Sequence, residues 1–306
     1  MVKHFMSEPE PVAAPEDLCG ECPVWDAASR SLYWTDCVGL RFHRLDGDSY
    51  RFETLRRGIE IYGFRRNRPG GFLVTNTAGV WTWDGCGELV PVAREADGAR
   101  LQLNDCTADS LGRLITASFF YDPAGDYPPG RLLRVDGDGR VTVLDEGFHL
   151  SNGLGLSPDE RILYFADSAA RRIWAYDYDL RGGTVANRRL FVQVPAAEGI
   201  PDGLTVDGEG FVWSAQWYGG CVVRYDPEGR EECRLAVPAK QTSSVTFGGP
   251  DLTDLFITTA GKSEAMPLMP PGYDPNTGPF GGPLYRAATD IRGQAPRVAD
   301  ICPVSR

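Results

Sequence analysis

The chain has 306 residues, of which 42% are hydrophobic and 24% charged, and its formal net charge is −11. That size and composition suit a large globular core, and the acid excess argues against nucleic acid and anionic membranes as partners. No apolar run reaches membrane-spanning length, and MVKHFMSEPEPVAAPED at the N-terminus lacks the apolar stretch of a signal peptide, so a cytoplasmic, reducing setting is expected.

In chain order, residues 1–17 read as an N-terminal extension, partly irregular. Six segments with a shared pattern follow. They are ECPVWDAASRSLYWTDC, YGFRRNRPGGFLVTNT, NDCTADSLGRLITASF, NGLGLSPDERILYFADS, PDGLTVDGEGFVWSAQW and SSVTFGGPDLTDLFITTA. Each opens on a polar residue, runs into an alternating apolar strand, turns on Asp, Gly or Pro, and continues into a second apolar strand. A third strand follows, ending FHRLD, VWTWD, LLRVD, IWAYD, VVRYD and, degraded, LYRAA. The YGFRRNRPGG copy is the weakest. Starts recur about every 40 to 50 residues, the period of a four-stranded propeller blade. The spacing also allows a β-sandwich pair or a β-solenoid, but the four-strand period favours an all-β, six-bladed β-propeller. Residues 1–306 are read as one domain. Closure is expected to pair segments from the two termini, with the apolar stretch 297–301 near the C-terminus taking part. The Pro/Gly-rich piece 266–282 reads as a loop within the last blade.

In four repeats the opener lies five positions before an Asp or Ser in the turn: Glu21 with Asp26, Asn104 with Asp109, Asn152 with Ser157, Asp202 with Asp207. First strands of propeller blades line the central channel, so equivalent openers face one another across the axis. Two carboxylates and two amides there make a hard-oxygen site suited to one divalent cation, Ca²⁺, Mg²⁺ or Mn²⁺, with Zn²⁺ or Fe²⁺ still open. Capping of strand ends by Asn-Gly and Asp-Gly is the competing explanation for any one of them. The 8 cysteines are scattered. The one CxxC, Cys19 to Cys22, has no second CxxC and no spaced histidines among His4, His43 and His149, so these read as small buried thiols.

The stretches GECPVWDAASRSLYWTD, LNDCTADSLGRL, LSNGLGLSPDERILYFADS, GIPDGLTVDGEGFVW and VPAKQTSSVTFGG resemble the regucalcin/gluconolactonase family of six-bladed propellers over most of residues 18–260. The resemblance implies one axial divalent cation and hydrolysis of a sugar lactone. It carries the family's metal ligands onto Glu21, Asn152 and Asp202, its substrate-contacting asparagine onto Asn104, and a substrate-contacting carboxylate onto Asp122. Some lactonase members have an arginine two residues before that asparagine; here Gln102 stands there, with Arg100 two residues earlier. The aromatic loop SFFYDPAGDYPPG at 118–130 is expected to wall the channel mouth, with Tyr121, Asp122 and Tyr127 as contacts and Trp217 and Tyr218 opposite; Phe119 and Phe120 divide evenly between that wall and blade packing.

A lactone is a cyclic ester, so opening it needs a polarised carbonyl, an activated water and a protonated leaving oxygen. Asp202 is expected as the base and Asn104 as a substrate holder. No GxSxG or His/Asp pair marks a covalent nucleophile. Two other readings stand beside the lactonase: a non-catalytic calcium-binding propeller, and a phosphotriesterase or other esterase on the same scaffold, for which His149 is the sole candidate histidine. The expected partner is a small-molecule sugar lactone, and the chain is expected to be a monomer or weak homo-oligomer.

Overall fold

A computed structural model describes residues 5–118, 129–261 and 268–302. Among the described residues there is no helix, and six four-stranded antiparallel sheets stand in a ring. Their inner strands are Gly20–Asp26, Gly63–Arg66, Leu103–Ala108, Ser151–Leu156, Ile200–Val206 and Thr242–Gly248. Each inner strand contacts the inner strands of the two flanking blades. In the first five blades the chain runs from the inner strand outward in sequence order.

The physical basis of the blade is a burial gradient. Second strands such as Ser31–Asp36, Leu114–Ser118 and Val212–Trp217 are buried along their whole length, because both faces are covered by neighbouring blades. Outer strands such as Phe52–Arg57 and Thr184–Gln193 alternate or stay largely exposed, which explains their charged residues. Six apolar clusters each fill one junction between adjacent blades. Trp25, Trp34 and Phe256, for example, lie between the last blade and the first, and Phe42, Phe64 and Trp83 between the first and second. The core is therefore a ring of wedges instead of one central mass.

The last blade joins the two ends of the chain. Its inner three strands are Thr242–Gly248, Asp254–Thr259 and Leu284–Ala288, and its outer strand is Glu10–Ala13, paired antiparallel with Leu284–Ala288. Residues 10–13, in the stretch expected to be partly irregular, are thus a blade strand. Residues 297–301 are not. Third strands end on the face opposite the openers, and the fourth place of this blade is already filled, so the tail crosses that far face instead. Gln294 donates from Nε2 to the carbonyls of Leu156 (3.0 Å) and Val206 (3.1 Å), Arg297 pairs with Glu160 at 2.7 Å, and Ala299 bridges Asn67 in parallel. The tail lines the far end of the axial channel.

Candidate metal centre and active site

The openers are aimed by a repeated fault in the inner strands. The ladder register shifts between Glu21 and Val24, Leu103 and Cys106, Ser151 and Leu154, and Pro201 and Leu204. A bulge bends the strand and re-aims the side chain at it, and here each bulge falls on an opener. The last blade has the same shift between Thr242 and Ser244, whereas the second blade, the weakest repeat, keeps a regular register through Gly63–Arg66. Immediately after the openers sit Cys22, Asp105, Gly153 and Gly203. Cys22 takes a positive φ of 47°, a sparsely populated conformation for a non-glycine residue. A Cβ on Gly203 would lie 2.0 Å from Ser244 Oγ and 2.7 Å from Ser244 Cα. Asn-Gly and Asp-Gly here serve close approach of strands at the axis rather than turns.

Glu21 is partly exposed at the channel mouth, while Asp202 is 4% and Asn104 9% exposed. Burial, followed by repulsion from Asp105, raises the Glu21 carboxyl to about 8, against a backbone bond from Cys22 that lowers it. Burial also pushes Asp202 well above the usual carboxylate range, and Glu21 and Asp105 add to the shift. These couplings place the openers of the first and fifth blades within reach of one another's charge. Asp202 Oδ1 is buried with no hydrogen-bond partner among the described residues. Asn104 donates from Nδ2 to Ser151 O at 2.8 Å, which leaves Oδ1 as its free acceptor. The amide of Asn152, half-buried, has no hydrogen-bond partner among the described residues.

Two site-lining residues escaped the sequence reading. Asp105, 7% exposed, has its carboxyl raised by burial, with the Arg65 guanidinium opposing the rise. Arg65 donates from Nη1 to Phe64 O at 2.7 Å and to Cys22 Sγ at 3.2 Å. Both line a channel cavity of ≈ 90 Å³ with Cys22, Thr107, Thr205 and Gln294. Their signal was faint: a second acid directly after Asn104, and an arginine in the repeat that has no acidic or amide opener.

Other expected residues fall as follows. Gln102, half-buried, lines a separate cleft of ≈ 480 Å³ with Arg94, Arg100 and Thr77. Tyr121, Asp122 and Tyr127, with Phe119 and Phe120, lie outside the described residues. Trp217 and Tyr218 are buried in an apolar cluster with Ile200, Leu268 and Tyr273 beneath the last blade's loop. His149 is 60% exposed, with Nδ1 3.6 Å from Asp167. The CxxC cysteines part company: Cys22 faces Phe64 and Arg65, while Cys19 lies against Cys37. All eight thiols are free.

Among the described residues no three His, Cys, Asp or Glu side chains gather as a ligand cluster, so a cation at this mouth must draw on amide oxygens too. Glu21, Asn152 and Asp202 fit a hard divalent ion on two counts. Their donors are all oxygen, and the orphaned Asp202 Oδ1 is a buried acceptor that needs a partner. Glu21, Asp105 and Asp202 also raise one another's carboxyls, a mutual repulsion that a dication would relieve.

The comparisons with known proteins agree with this architecture. The model of the SMP-30/Gluconolactonase/LRE-like region matches residues 19–261. Pentonolactonase XacC of Haloferax volcanii is 37% identical over 282 residues, covering 92% of this chain and 94% of that protein. The 6-deoxy-6-sulfogluconolactonase of Pseudomonas putida is 34% identical over 250 residues, covering 81% and 85%. The crystal structure of the calcium-binding protein regucalcin from Agrobacterium tumefaciens superposes with a TM-score of 0.82 at 25% identity, covering 96% of this chain and 97% of that one. With the family model spanning most of the ring and every opener, the chain belongs to the SMP-30/gluconolactonase/LRE-like family.

Proposed function

We propose that the protein is a divalent-cation-dependent lactonase that opens a sugar lactone of the aldonolactone kind to the open-chain acid. The observation that carries the reading is the buried, unpartnered Oδ1 of Asp202 at a channel mouth shared with Glu21 and Asn104. Lactonase names among relatives that cover most of the chain support the chemistry, and the calcium-binding title of the regucalcin structure supports the cation.

Glu21, Asn152 and Asp202 would hold the cation, which supplies Lewis acidity toward an ester carbonyl and makes a nearby water more acidic. Asp202 takes the proton from the attacking water and returns it to the ring oxygen as the ester C–O bond breaks. Atoms balance as lactone plus water giving hydroxy acid. Asn104, its Nδ2 already engaged, accepts a substrate hydroxyl hydrogen bond at Oδ1. Gln102, a neutral amide where some members have arginine, lines the cleft beside Arg94 and Arg100 and is proposed as an outer substrate contact. Asp122 and Tyr121 are proposed as further substrate contacts. We also read residues 1–306 as one propeller domain, monomeric or weakly associated, in a reducing cytoplasmic setting in keeping with eight free thiols.

The test is a pH-indicator assay of lactone opening on chelator-stripped protein. Pentono- and hexonolactones and a 6-sulfo-hexonolactone are offered before and after adding Ca²⁺, Mg²⁺, Mn²⁺, Zn²⁺ or Fe²⁺. Turnover above the spontaneous rate, restored by one metal, is expected. Stoichiometric metal binding without turnover on any lactone would instead mark a calcium-binding propeller.

A further inference from the structure

The carbonyl immediately before three of the bulged openers has a side-chain partner from the preceding blade. Ser243 Oγ, in the last blade, donates to Gly20 O at 2.5 Å, one residue before Glu21. Asn104 Nδ2, in the third blade, donates to Ser151 O at 2.8 Å, one residue before Asn152. Ser168 Oγ, in the fourth blade, donates to Pro201 O at 2.6 Å, one residue before Asp202. Two related bonds involve the second blade: Thr35 Oγ1 donates to Ile61 O at 2.9 Å, ahead of a strand without a bulge, and Thr75 Oγ1 donates to Asn104 O, the opener's own carbonyl, at 2.6 Å. Every bond runs from one blade to the next in the same sense around the ring, across five of the six junctions. The four hydroxyl donors are at most 1% exposed.

These donors come from different register positions. Ser243 is the opener of its own blade, Thr35 lies opposite Glu21, and Ser168 lies beyond the paired end of its strand. Unlike positions therefore converge on one kind of acceptor. At Gly20, Ser151 and Pro201 that acceptor lies at the start of a bulge, where the backbone sets the direction of the following side chain. A buried hydroxyl-to-carbonyl bond in a low-dielectric site is rigid, and losing it leaves an unsatisfied carbonyl. We propose that Ser168 and Ser243 are positioning residues that set the aim of Asp202 and Glu21, the two carboxylates of the cation site. They act through the backbone of the neighbouring blade and touch neither cation nor substrate. The inference rests on the cation reading of the site.

Calcium and manganese titrations by calorimetry, alongside thermal melts, test it on the full chain and on Ser168→Ala, Ser243→Ala and Ser168→Thr. Tyr178→Phe is the comparison variant, because it removes a buried hydroxyl bonded to Asp109 Oδ2 at 2.7 Å, at a turn on the opposite face. The parent binds one cation per chain. Each alanine variant is expected to weaken cation affinity about 10- to 100-fold, the usual cost of losing an outer-shell support. Ser168→Thr keeps the hydroxyl, as threonine does at 35 and 75, and is expected to restore affinity. Tyr178→Phe is expected to lower the melting temperature with parent-like affinity. Alanine variants that bind within about twofold of the parent, while melting lower like Tyr178→Phe, would overturn the positioning role and leave the cation site standing. A parent that binds neither cation would overturn the site reading, and the positioning role with it. If Ser243→Ala fails to fold, the Ser168 pair decides alone.

Discussion

Asp202 keeps one carboxylate oxygen buried and without a hydrogen-bond partner among the described residues, a condition that costs stability unless something else fills it. A proton or a cation can fill it, and the two compete. Glu21, held near 8, and Asp202, pushed well above the usual carboxylate range by burial, both lean toward the proton when no cation is bound. For Glu21 the folded chain retains a proton that the unfolded chain releases near 4.5. Its contribution is therefore full below that value and is lost as pH climbs toward about 8, a falling slope in stability. Cation-stripped protein is expected to melt at progressively lower temperature from pH 5 to pH 8. Added cation should recover more degrees at pH 8 than at pH 5, because binding must displace protons. Differential scanning calorimetry across that range, with and without chelator, reads both. Asp202→Ala is expected to lower kcat by about 10³-fold in the lactone assay, in the range of a lost general base. Unchanged turnover with normal metal content would reassign the base. These four openers were legible in the sequence because each interrupts an apolar strand at the same register. Asp105 and Arg65 were not, because neither opens a repeat: Asp105 lies inside a bulge that alternation does not encode, and Arg65 reaches the channel from the unbulged second blade.

At the scale of the element, the inner strand carries two instructions that alternation alone does not encode. One is the bulge at the opener; the other is the tight spacing beside it. Gly203 is where the second is most exacting, since any side chain meets Ser244. Gly203→Ala is expected to cost about 1–3 kcal/mol through overpacking, read from urea midpoints, and to weaken cation binding by shifting Asp202. The Asn-Gly and Asp-Gly pairs look like turn signals in isolation, and only their place in six aligned repeats marks them as strand residues. Second strands were easy to read, being apolar throughout and buried on both sides. The outer strand Glu10–Ala13 was hidden: it is four residues long, contains Pro11 and lies mostly exposed on an edge, so it shows no periodicity that composition would reveal.

For the whole molecule, that short strand is the seam. It pairs residues from the start of the chain with the last blade, with Phe5 bridging Thr289 beside it, and the Trp25–Trp34–Phe256 wedge lies directly inside it. Removing residues 5–13 is expected to lower the urea midpoint and broaden the transition, measured by intrinsic tryptophan fluorescence; a parent-like midpoint would show that the wedges close the ring by themselves. The number of blades followed from the repeats, but the manner of closure did not, because the four-residue strand that fills the last blade's edge carries no repeat pattern.

The tail that crosses the far face lines that end of the axial channel. Under the proposed reaction the mouth at the openers serves two travellers that differ: a lactone arrives and a carboxylate departs. The doorway is ringed by acids on a chain of net charge −11. Such a field is indifferent to a neutral arrival and repels an anion, so under the proposed reaction the chain's surplus of negative charge biases the vestibule toward discharge after each turnover.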